Sequence, residues 1–210
     1  MSTPQTTDES PEIHPLIRDR WSPRAFRSEA VESEKLRQLF EAARWAASSY
    51  NEQPWRFIVA TSDEPHYQLV LECLVPANQS WASSAPVLGL TIVKEAYAKN
   101  GKPNRSAEHD LGLAMGNLSI QATALGLHLH QMGGVDLPRI EATFEVPDGF
   151  HPFTGFAVGY LGQAEDLPEP WMRQAETATR QRLPLTELVF GERFGRASSI
   201  AQPTRDLTGG

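Results

Sequence analysis

The segment from His109 to Leu127, with the sequence HDLGLAMGNLSIQATALGL, constrains the fold of this 210-residue chain more than any other stretch. In a helix, Leu111 and Met115 stand on one side, while Leu113 and Ile120 stand on others. A helix that is apolar around much of its circumference is buried on several sides. We therefore expect it to pack against a sheet of its own chain and against a second subunit. The alternative is the central core helix of a monomer.

The rest of the chain contains patterns that predict both helices and strands. From Ser33 onward, apolar residues at three- and four-residue steps predict an amphipathic helix with Ser33 as its N-cap. Runs rich in branched residues predict strands at 56–61, 86–93, 127–132 and 155–161. The second run is apolar on both faces, which is typical of a strand in the middle of a buried sheet. Further helices are predicted near 64–75, 136–145 and 169–180.

Length and composition limit the class of protein. A chain of this length with 40% hydrophobic residues can bury a core as one domain, which we place at residues 13–196, with loose tails at 1–12 and 197–210. The net charge of −7 argues against a general nucleic-acid binder, since affinity for phosphate backbones depends on lysine and arginine. No leader-like or membrane-spanning apolar segment is recognisable, so we expect a cytoplasmic protein that does not bind membranes.

The stretch RWSPRAF, residues 20–26, is the first candidate site. If it is extended, Arg20, Ser22 and Arg24 point to one side and present two guanidinium groups and a hydroxyl group. This set of donors suits a phosphomonoester, because guanidinium offers both charge and paired hydrogen bonds. The alternative is a solvated basic loop.

A polar cluster between two apolar elements is the second candidate. Its members are Ser48, Ser49, Asn51 and Gln53. Hydroxyl and amide groups supply donors and acceptors without net charge, which suits the mixed edge of an isoalloxazine ring. Turn chemistry at the end of a helix is the alternative, and it explains the individual residues better than the whole cluster.

Two short pairs are further candidates. Gly133 and Gly134 follow a predicted strand and could expose backbone N–H groups to a ligand, although a plain turn explains them equally well. Arg180 and Arg182 occupy alternate positions and could present two cations on one face, with a solvated basic segment as the alternative.

Other chemistries lack support in the sequence. His128 and His130 could share one face of a strand, but no carboxylate or thiolate cluster completes a shell around them, so we expect no metal site. The single cysteine, Cys73, excludes an intramolecular disulfide framework. Neither the nucleophile elbow of hydrolases nor a phosphate-binding or dinucleotide-binding glycine motif is present.

Taken in order, these segments resemble the nitroreductase family of FMN-dependent NAD(P)H oxidoreductases. The block Asn-x-Gln-Pro-Trp is the most specific part of the resemblance, which spans about 170 residues. The matching segments are RWSPRAF at 20–26, AASSYNEQPWRFIVA at 46–60, DLGLAMGNLSIQATALGL at 110–127, GFAVGYLG at 155–162 and RQRLPLTELV at 180–189.

The resemblance implies an α+β fold, with a mixed sheet flanked by helices, in an intertwined homodimer that binds two FMN molecules at its interface. It implies contacts to the phosphate, ribityl chain and pyrimidine side from Arg20, Trp21, Ser22 and Arg24, helped by Arg180 and Arg182. It implies contacts from the partner subunit by Ser48, Ser49, Asn51 and Gln53, and backbone contacts near flavin N5 by Gly133 and Gly134. The chain departs from the family pattern at Ala47, where proline is common, and Asn78 is the candidate for a further contact to the ring.

The implied reaction needs no catalytic side chain, because the flavin carries the hydride chemistry. NADH or NADPH would reduce the flavin, and a small organic acceptor such as a nitroaromatic, a quinone or an enal would reoxidise it. One alternative is another flavin chemistry on the same fold, such as dehalogenation or flavin processing. The other is a dimeric binding protein without catalysis.

Overall fold

A computed structural model describes residues 11–202 of the chain, and the tail residues 1–10 and 203–210 lie outside this range. The chain divides into two compact units. One is Pro15–Glu176, and the described part of the other consists of residues 11–14 and 177–202. The second unit contains a short 3-10 turn, Ser199–Ala201, within the segment predicted to be a loose tail.

A four-stranded sheet forms the centre of the unit Pro15–Glu176. Its strands are β1 (Trp55–Thr61), β2 (Val87–Lys94), β3 (His128–Met132) and β4 (Phe150–Gly159). The order is β1-β2-β4-β3, and each neighbouring pair is antiparallel. The α+β class is confirmed. Parallel pairing, which a mixed sheet would include, does not occur between these four strands.

Seven α-helices accompany the sheet in the described part of the chain. They are α1 (Pro15–Asp19), α2 (Ser33–Arg44), α3 (Tyr67–Glu72), α4 (Pro76–Ala82), α5 (Ala107–Ala124), α6 (Leu137–Thr143) and α7 (Pro170–Thr177). The predicted N-cap at Ser33 was wrong, because Glu32 occupies the extended N-cap position and Ser33 is the first helical residue. The predicted helices do not include α1 or α4, which are 5 and 7 residues long.

Apolar side chains cover both faces of the sheet. On one face, Leu88 and Leu90 of β2 belong to a cluster with residues of α3, α4 and α6. On the other face, Val87 and Val93 pack in a cluster with residues of α2 and α5. The predicted burial of β2 on both faces is confirmed, because its residues from 87 to 93 are all buried.

Among the described residues, helix α5 is buried on one side only. Leu111, Met115 and Leu118 face the sheet and are buried. The opposite side is solvent-accessible, with Leu113 40% exposed and open space around Gly112 and Gly116. Helix α5, which the sequence predicts to be covered on several sides, therefore has an uncovered face among the described residues of the single chain.

Among residues 11–202 no helix is long and apolar enough to cross a membrane.

Candidate functional site

The basic segment after α1 places two of its polar side chains in contact. The Arg20 guanidinium donates a hydrogen bond from Nη1 to the Ser22 hydroxyl oxygen at 3.3 Å. Ser22 is exposed, whereas Arg20 and Arg24 are half-buried. The prediction that alternate residues of this segment share one side is therefore confirmed for Arg20 and Ser22. The Arg24 guanidinium lies over the Trp171 ring, with 5.3 Å from its Cζ atom to the ring centroid.

The backbone of this segment is held by side chains that are distant in sequence. The Glu176 carboxylate accepts bonds from Arg24 N at 2.9 and 3.0 Å and from Ala25 N at 2.9 Å. On strand β3, His130 Nδ1 lies 2.8 Å from Pro23 O. A carbonyl oxygen can only accept, so His130 Nδ1 carries the proton. The segment is thus fixed at three consecutive residues.

Both histidines of β3 lie beside this segment and resist protonation. Burial lowers the pKa of His128, and burial is also the largest cause that lowers the pKa of His130. The charge of Arg24 lowers the pKa of His130 further, against the bond to Pro23, which raises it. Both imidazoles are therefore neutral at pH 7. The Trp21 ring meets His128 edge-on with 5.9 Å between centroids, and His128 Nδ1 is buried without a hydrogen-bond partner in the described residues.

The polar loop before β1 has an unusual backbone. Tyr50, Asn51 and Gln53 all have positive φ angles, of 51°, 58° and 48°. Residues other than glycine rarely adopt this conformation, and each such residue costs about 1–3 kcal/mol in local strain. Such strain persists only where the surroundings hold the backbone, and it clusters at ligand sites. The loop is therefore a preformed structure and more than a simple helix end.

Hydrogen bonds from several sides maintain the loop. The buried carboxylate of Asp110 on α5 accepts a bond from Ser49 N at 3.0 Å, and Ser48 Oγ accepts one from Gln53 N at 3.0 Å. The Glu52 carboxylate accepts bonds from Ala98 N at 3.0 and 3.1 Å. The Gln53 amide donates to Asn51 O at 3.1 Å. Some of the polar groups that the sequence analysis assigns to ligand binding therefore make hydrogen bonds within the loop and stabilise it.

An aromatic pair stands at the tip of the same loop. Tyr50 is 89% exposed and meets Tyr97 edge-on, with 5.8 Å between ring centroids. The Ser49 and Tyr97 hydroxyl oxygens are 3.3 Å apart. The loop thus presents an apolar ring next to hydroxyl and amide groups, which is the composition of a surface that binds a flat heteroaromatic molecule.

The glycine pair after β3 lies against α4. Gly134 O accepts hydrogen bonds from Val75 N at 3.1 Å and from the Asn78 side-chain amide at 3.0 Å. A Cβ atom at Gly134 would lie 2.7 Å from Asn78 Nδ2 and 2.8 Å from Val75 Cγ2, whereas a Cβ at Gly133 would meet nothing within 4 Å. The two glycines therefore serve different purposes. Gly134 permits close packing, and Gly133 borders open space.

This difference predicts opposite outcomes for two matched substitutions. We expect Gly134→Ala to destabilise the fold by about 1–2 kcal/mol, because the added methyl group displaces Val75 and Asn78. Gly133→Ala should leave the free energy of unfolding unchanged or raise it slightly, since the methyl group has room and the unfolded chain loses freedom. Urea denaturation of the two apoproteins measures the difference. Equal midpoints would contradict the assigned packing.

The last two predicted residues belong to the second unit. Arg182 donates from Nη1 to Gln181 O at 2.7 Å and is exposed, and Arg180 is half-buried. Residues 178–184 form neither helix nor strand. Their predicted role in binding stays a prediction.

Comparison with known proteins identifies the family. A sequence profile of the nitroreductase family matches residues 17–87 and 74–160, which together cover more than half of the chain. The chain belongs to the nitroreductase family. The predicted resemblance is therefore confirmed.

Solved structures and a curated relative support this assignment. The nitroreductase-family chain described here matches a crystal structure of an oxidoreductase containing FMN with a TM-score of 0.86 and 36% identity, covering 93% of this chain and 98% of the other. A candidate nitroreductase from Desulfovibrio desulfuricans, solved in complex with FMN, matches with a TM-score of 0.67 and 26% identity over 87% of this chain and 99% of the other. The major NAD(P)H-flavin oxidoreductase of Aliivibrio fischeri is 26% identical in an alignment 197 positions long that covers 73% of this chain and 90% of the relative.

Sequence reasoning missed several residues that shape the candidate site of this nitroreductase-family protein. Asp110 had no distinct signal, because it lies in the first turn of α5 together with Glu108, and acidic residues are common at that end of a helix. His130 was considered only as a metal ligand, and its contact with Pro23 joins residues 107 positions apart. Glu176 and Trp171 had no signal, since their sequence context is that of an ordinary surface helix. Only the packing of α7 brings them to Arg24.

Proposed function

We propose that this protein is an FMN-dependent NAD(P)H oxidoreductase that transfers reducing equivalents to a small organic acceptor. The observation that carries the proposal is the 36% identity, over 93% of the chain, with an oxidoreductase containing FMN. NAD(P)H as the electron donor is supported by the name of the Aliivibrio fischeri relative. Nitroaromatics, quinones and enals are the acceptor classes we propose.

The residues present suit FMN. The contacting guanidinium and hydroxyl groups of Arg20 and Ser22 form a donor set that matches a phosphomonoester. The open space at Gly133 lets a planar ring come close to the backbone at this point. The loop around Ser49 offers uncharged donors and acceptors that match the carbonyl and N3–H edge of an isoalloxazine. Bound FMN would supply hydride transfer through its ring nitrogen N5.

The protein's part in this chemistry is binding, orientation and electrostatics. In the proposal, Arg20, Ser22 and Arg24, helped by Arg180 and Arg182, hold the phosphate, the ribityl chain and the pyrimidine side of the ring. Fixed N–H groups near Gly133 and Gly134 orient the ring, and they favour negative charge on it because they are already in place when the charge develops. Asn78 is tied to Gly134 and is therefore suited to orient this backbone.

We also propose that the active form is a homodimer, in which the loop around Ser48, Ser49, Asn51 and Gln53 serves the partner's cofactor. In the part of the chain that the structure describes, Leu113 on α5 and Trp45 after α2 are exposed, Trp45 by 75%. The second unit also exposes large apolar side chains, at Leu183, Leu188, Phe194 and Ile200. Extensive apolar exposure of this kind is typical of a subunit interface.

A steady-state assay on the purified protein tests the proposal. We expect a yellow protein with absorbance near 450 nm that sediments as a dimer and oxidises NADH or NADPH in the presence of a quinone or a nitroaromatic. Each pyridine nucleotide should be combined with each acceptor class, because the order of rates identifies the preferred pair. The control is the same protein after removal of FMN, which should lose turnover and regain it when FMN is added.

The two alternatives have distinct outcomes in the same experiment. A protein that binds FMN but shows no turnover with any nucleotide and acceptor would support another flavin chemistry on this fold, such as dehalogenation or flavin processing. A colourless dimer that does not take up FMN during incubation would support a binding protein without catalysis. Either result overturns the proposed activity.

A further inference from the structure

Asp110 is a charged residue in an apolar environment. It lies in the first turn of α5, is 3% exposed, and its neighbours Ala107, Leu111 and Ala114 belong to the core. Burial of a carboxylate is costly unless hydrogen bonds compensate for the lost water. Its Oδ2 accepts a hydrogen bond from outside the helix, from Ser49 N at 3.0 Å. The carboxylate therefore connects the buried side of α5 to a loop 61 positions earlier in the chain.

The residue that Asp110 binds stands directly before the strained part of the loop. Tyr50 and Asn51, the next two residues, have positive φ angles of 51° and 58°, and Gln53 follows with 48°. Residues other than glycine keep this conformation only where their surroundings hold the backbone. Ser49 N donates to a charged acceptor, and such bonds are stronger than bonds between neutral groups. Asp110 is thus placed to hold the start of the strained stretch.

Glu52 holds the same loop to a different element. Its carboxylate accepts hydrogen bonds from Ala98 N at 3.0 and 3.1 Å, and its Oε2 lies 3.6 Å from Lys94 Nζ at the end of β2. The loop is therefore attached to α5 through Ser49 and to the end of β2 and the segment after it through Glu52. Because Glu52 keeps the second attachment, loss of Asp110 should disorder part of the loop while the chain stays folded.

We propose that Asp110 is a positioning residue that holds the loop around Ser49 in its binding conformation for the flavin of the partner subunit. It acts through the backbone of the loop and does not contact the cofactor. The inference rests on the proposed function, because it takes from it the homodimer and the contact between the loop and the partner's FMN. Asp110 of one chain should therefore affect the site that contains the phosphate-binding segment of the other chain.

Homodimeric variants show whether FMN binding depends on Asp110. We expect Asp110→Ala to raise the Kd for FMN about tenfold, because a loop that is correctly ordered in about one molecule out of ten binds with about one tenth of the affinity. Asp110→Asn keeps a side-chain oxygen that can accept from Ser49 N, so its Kd should rise by only about two- to threefold. Quenching of flavin fluorescence measures Kd, and sedimentation establishes that each variant is still a dimer.

Glu108→Ala is the matched control. Glu108 is the other acidic residue in the first turn of α5, but it is exposed, and its Oε1 lies 3.3 Å from His151 Nε2. Acidic residues interact favourably with the positive end of a helix dipole. The control therefore removes the same charge from the same turn without a change at the loop, and its Kd should stay within about twofold of wild type. Equal losses in Asp110→Ala and Glu108→Ala would show an effect on the helix and would overturn the inference.

A mixed dimer tests whether Asp110 acts on the partner's site. Chains with Asp110→Ala and chains with Arg20→Ala are co-expressed with different affinity tags, and dimers that contain one of each are purified on two successive columns. If the loop serves the partner, one site combines an intact Arg20 with an intact loop, and the other site carries both defects. We expect the mixed dimer to bind one FMN with wild-type affinity, although neither homodimer does. If Asp110 acts within its own chain or on stability in general, no site of the mixed dimer binds with wild-type affinity.

The outcomes separate this inference from the proposed function. Wild type that binds no FMN or stays monomeric contradicts the proposed function and the inference with it. Wild-type affinity in the Asp110→Ala homodimer, or a mixed dimer without a wild-type site, overturns the inference and leaves the proposed function standing. An Arg20→Ala homodimer with wild-type affinity contradicts the proposed phosphate site, and the Asp110→Ala homodimer then decides the inference alone. If Asp110→Ala does not fold, Asp110→Asn takes its place in both experiments.

Discussion

Replacement of Arg20 or Arg182 by alanine is expected to weaken FMN binding by about 1.5–3 kcal/mol each, which is roughly a ten- to hundredfold increase in Kd. In the proposed site, each substitution removes a charge-assisted hydrogen bond to the phosphate. For Arg20, the expectation rests on its contact with the Ser22 hydroxyl group, which places two phosphate donors together. For Arg182, it rests on the match to the family pattern.

Titration of the apoproteins with FMN measures both effects. Arg37→Ala on α2 and Arg193→Ala in the second unit are suitable controls, because each removes an exposed arginine outside the proposed pocket. Riboflavin serves as a second control, since its affinity should barely depend on either arginine. Wild-type affinity for FMN in both Arg20→Ala and Arg182→Ala would reject the assigned phosphate site.

The largest expected loss of stability follows from substitution of Gly89 in the central strand β2. Gly89 pairs with Phe156 of β4, and the Phe156 ring lies directly over it. A Cβ atom at Gly89 would stand 2.1 Å from Phe156 Cζ and within 2.7 Å of two further ring atoms. Phe156 is fully buried and also contacts the rings of Phe40 and Phe57, so it has little room to move.

We therefore expect Gly89→Ala to cost about 3 kcal/mol or more, which lowers the melting temperature by roughly 6–12 °C for a chain of this size. A double-mutant cycle with Phe156→Leu tests the cause. The shorter side chain removes the ring that causes the clash, so Gly89→Ala should cost less in the Phe156→Leu background than in wild type. Additive losses would show that the clash with the ring is not the reason.

Much of the fold was predictable because its signals are local. Alternating or continuous apolar runs predicted β1 and β2, and helical periodicity predicted α2 and α5, including the burial of Leu111, Met115 and Leu118. The predicted bounds differ from the observed ones for some elements. Strand β4 begins at Phe150, five residues before its predicted start. The prediction missed the first half of the strand because this half is only partly buried and lacks a continuous apolar run.

The candidate site was predictable in its residue types but not in its internal contacts. The sequence singled out Arg20 and Ser22 and the structure joins them, whereas it supplied no reason to pair Ser49 with Asp110. It also did not reveal that Ser48 and Gln53 bond within their own loop. The residue type shows that a side chain can donate or accept a hydrogen bond. Which group becomes its partner depends on the fold.

The sequence alone predicted the α+β class, the presence of helix α5 and the family to which the chain belongs. These properties depend on periodicity and on motifs, both of which are carried by neighbouring residues. Only the tertiary structure revealed two contacts between residues far apart in sequence. The Glu176 carboxylate accepts a hydrogen bond from Arg24 N, 152 positions away, and His130 Nδ1 donates one to Pro23 O, 107 positions away. Such contacts form when packed elements bring distant residues together, and no local pattern encodes the place where two elements meet.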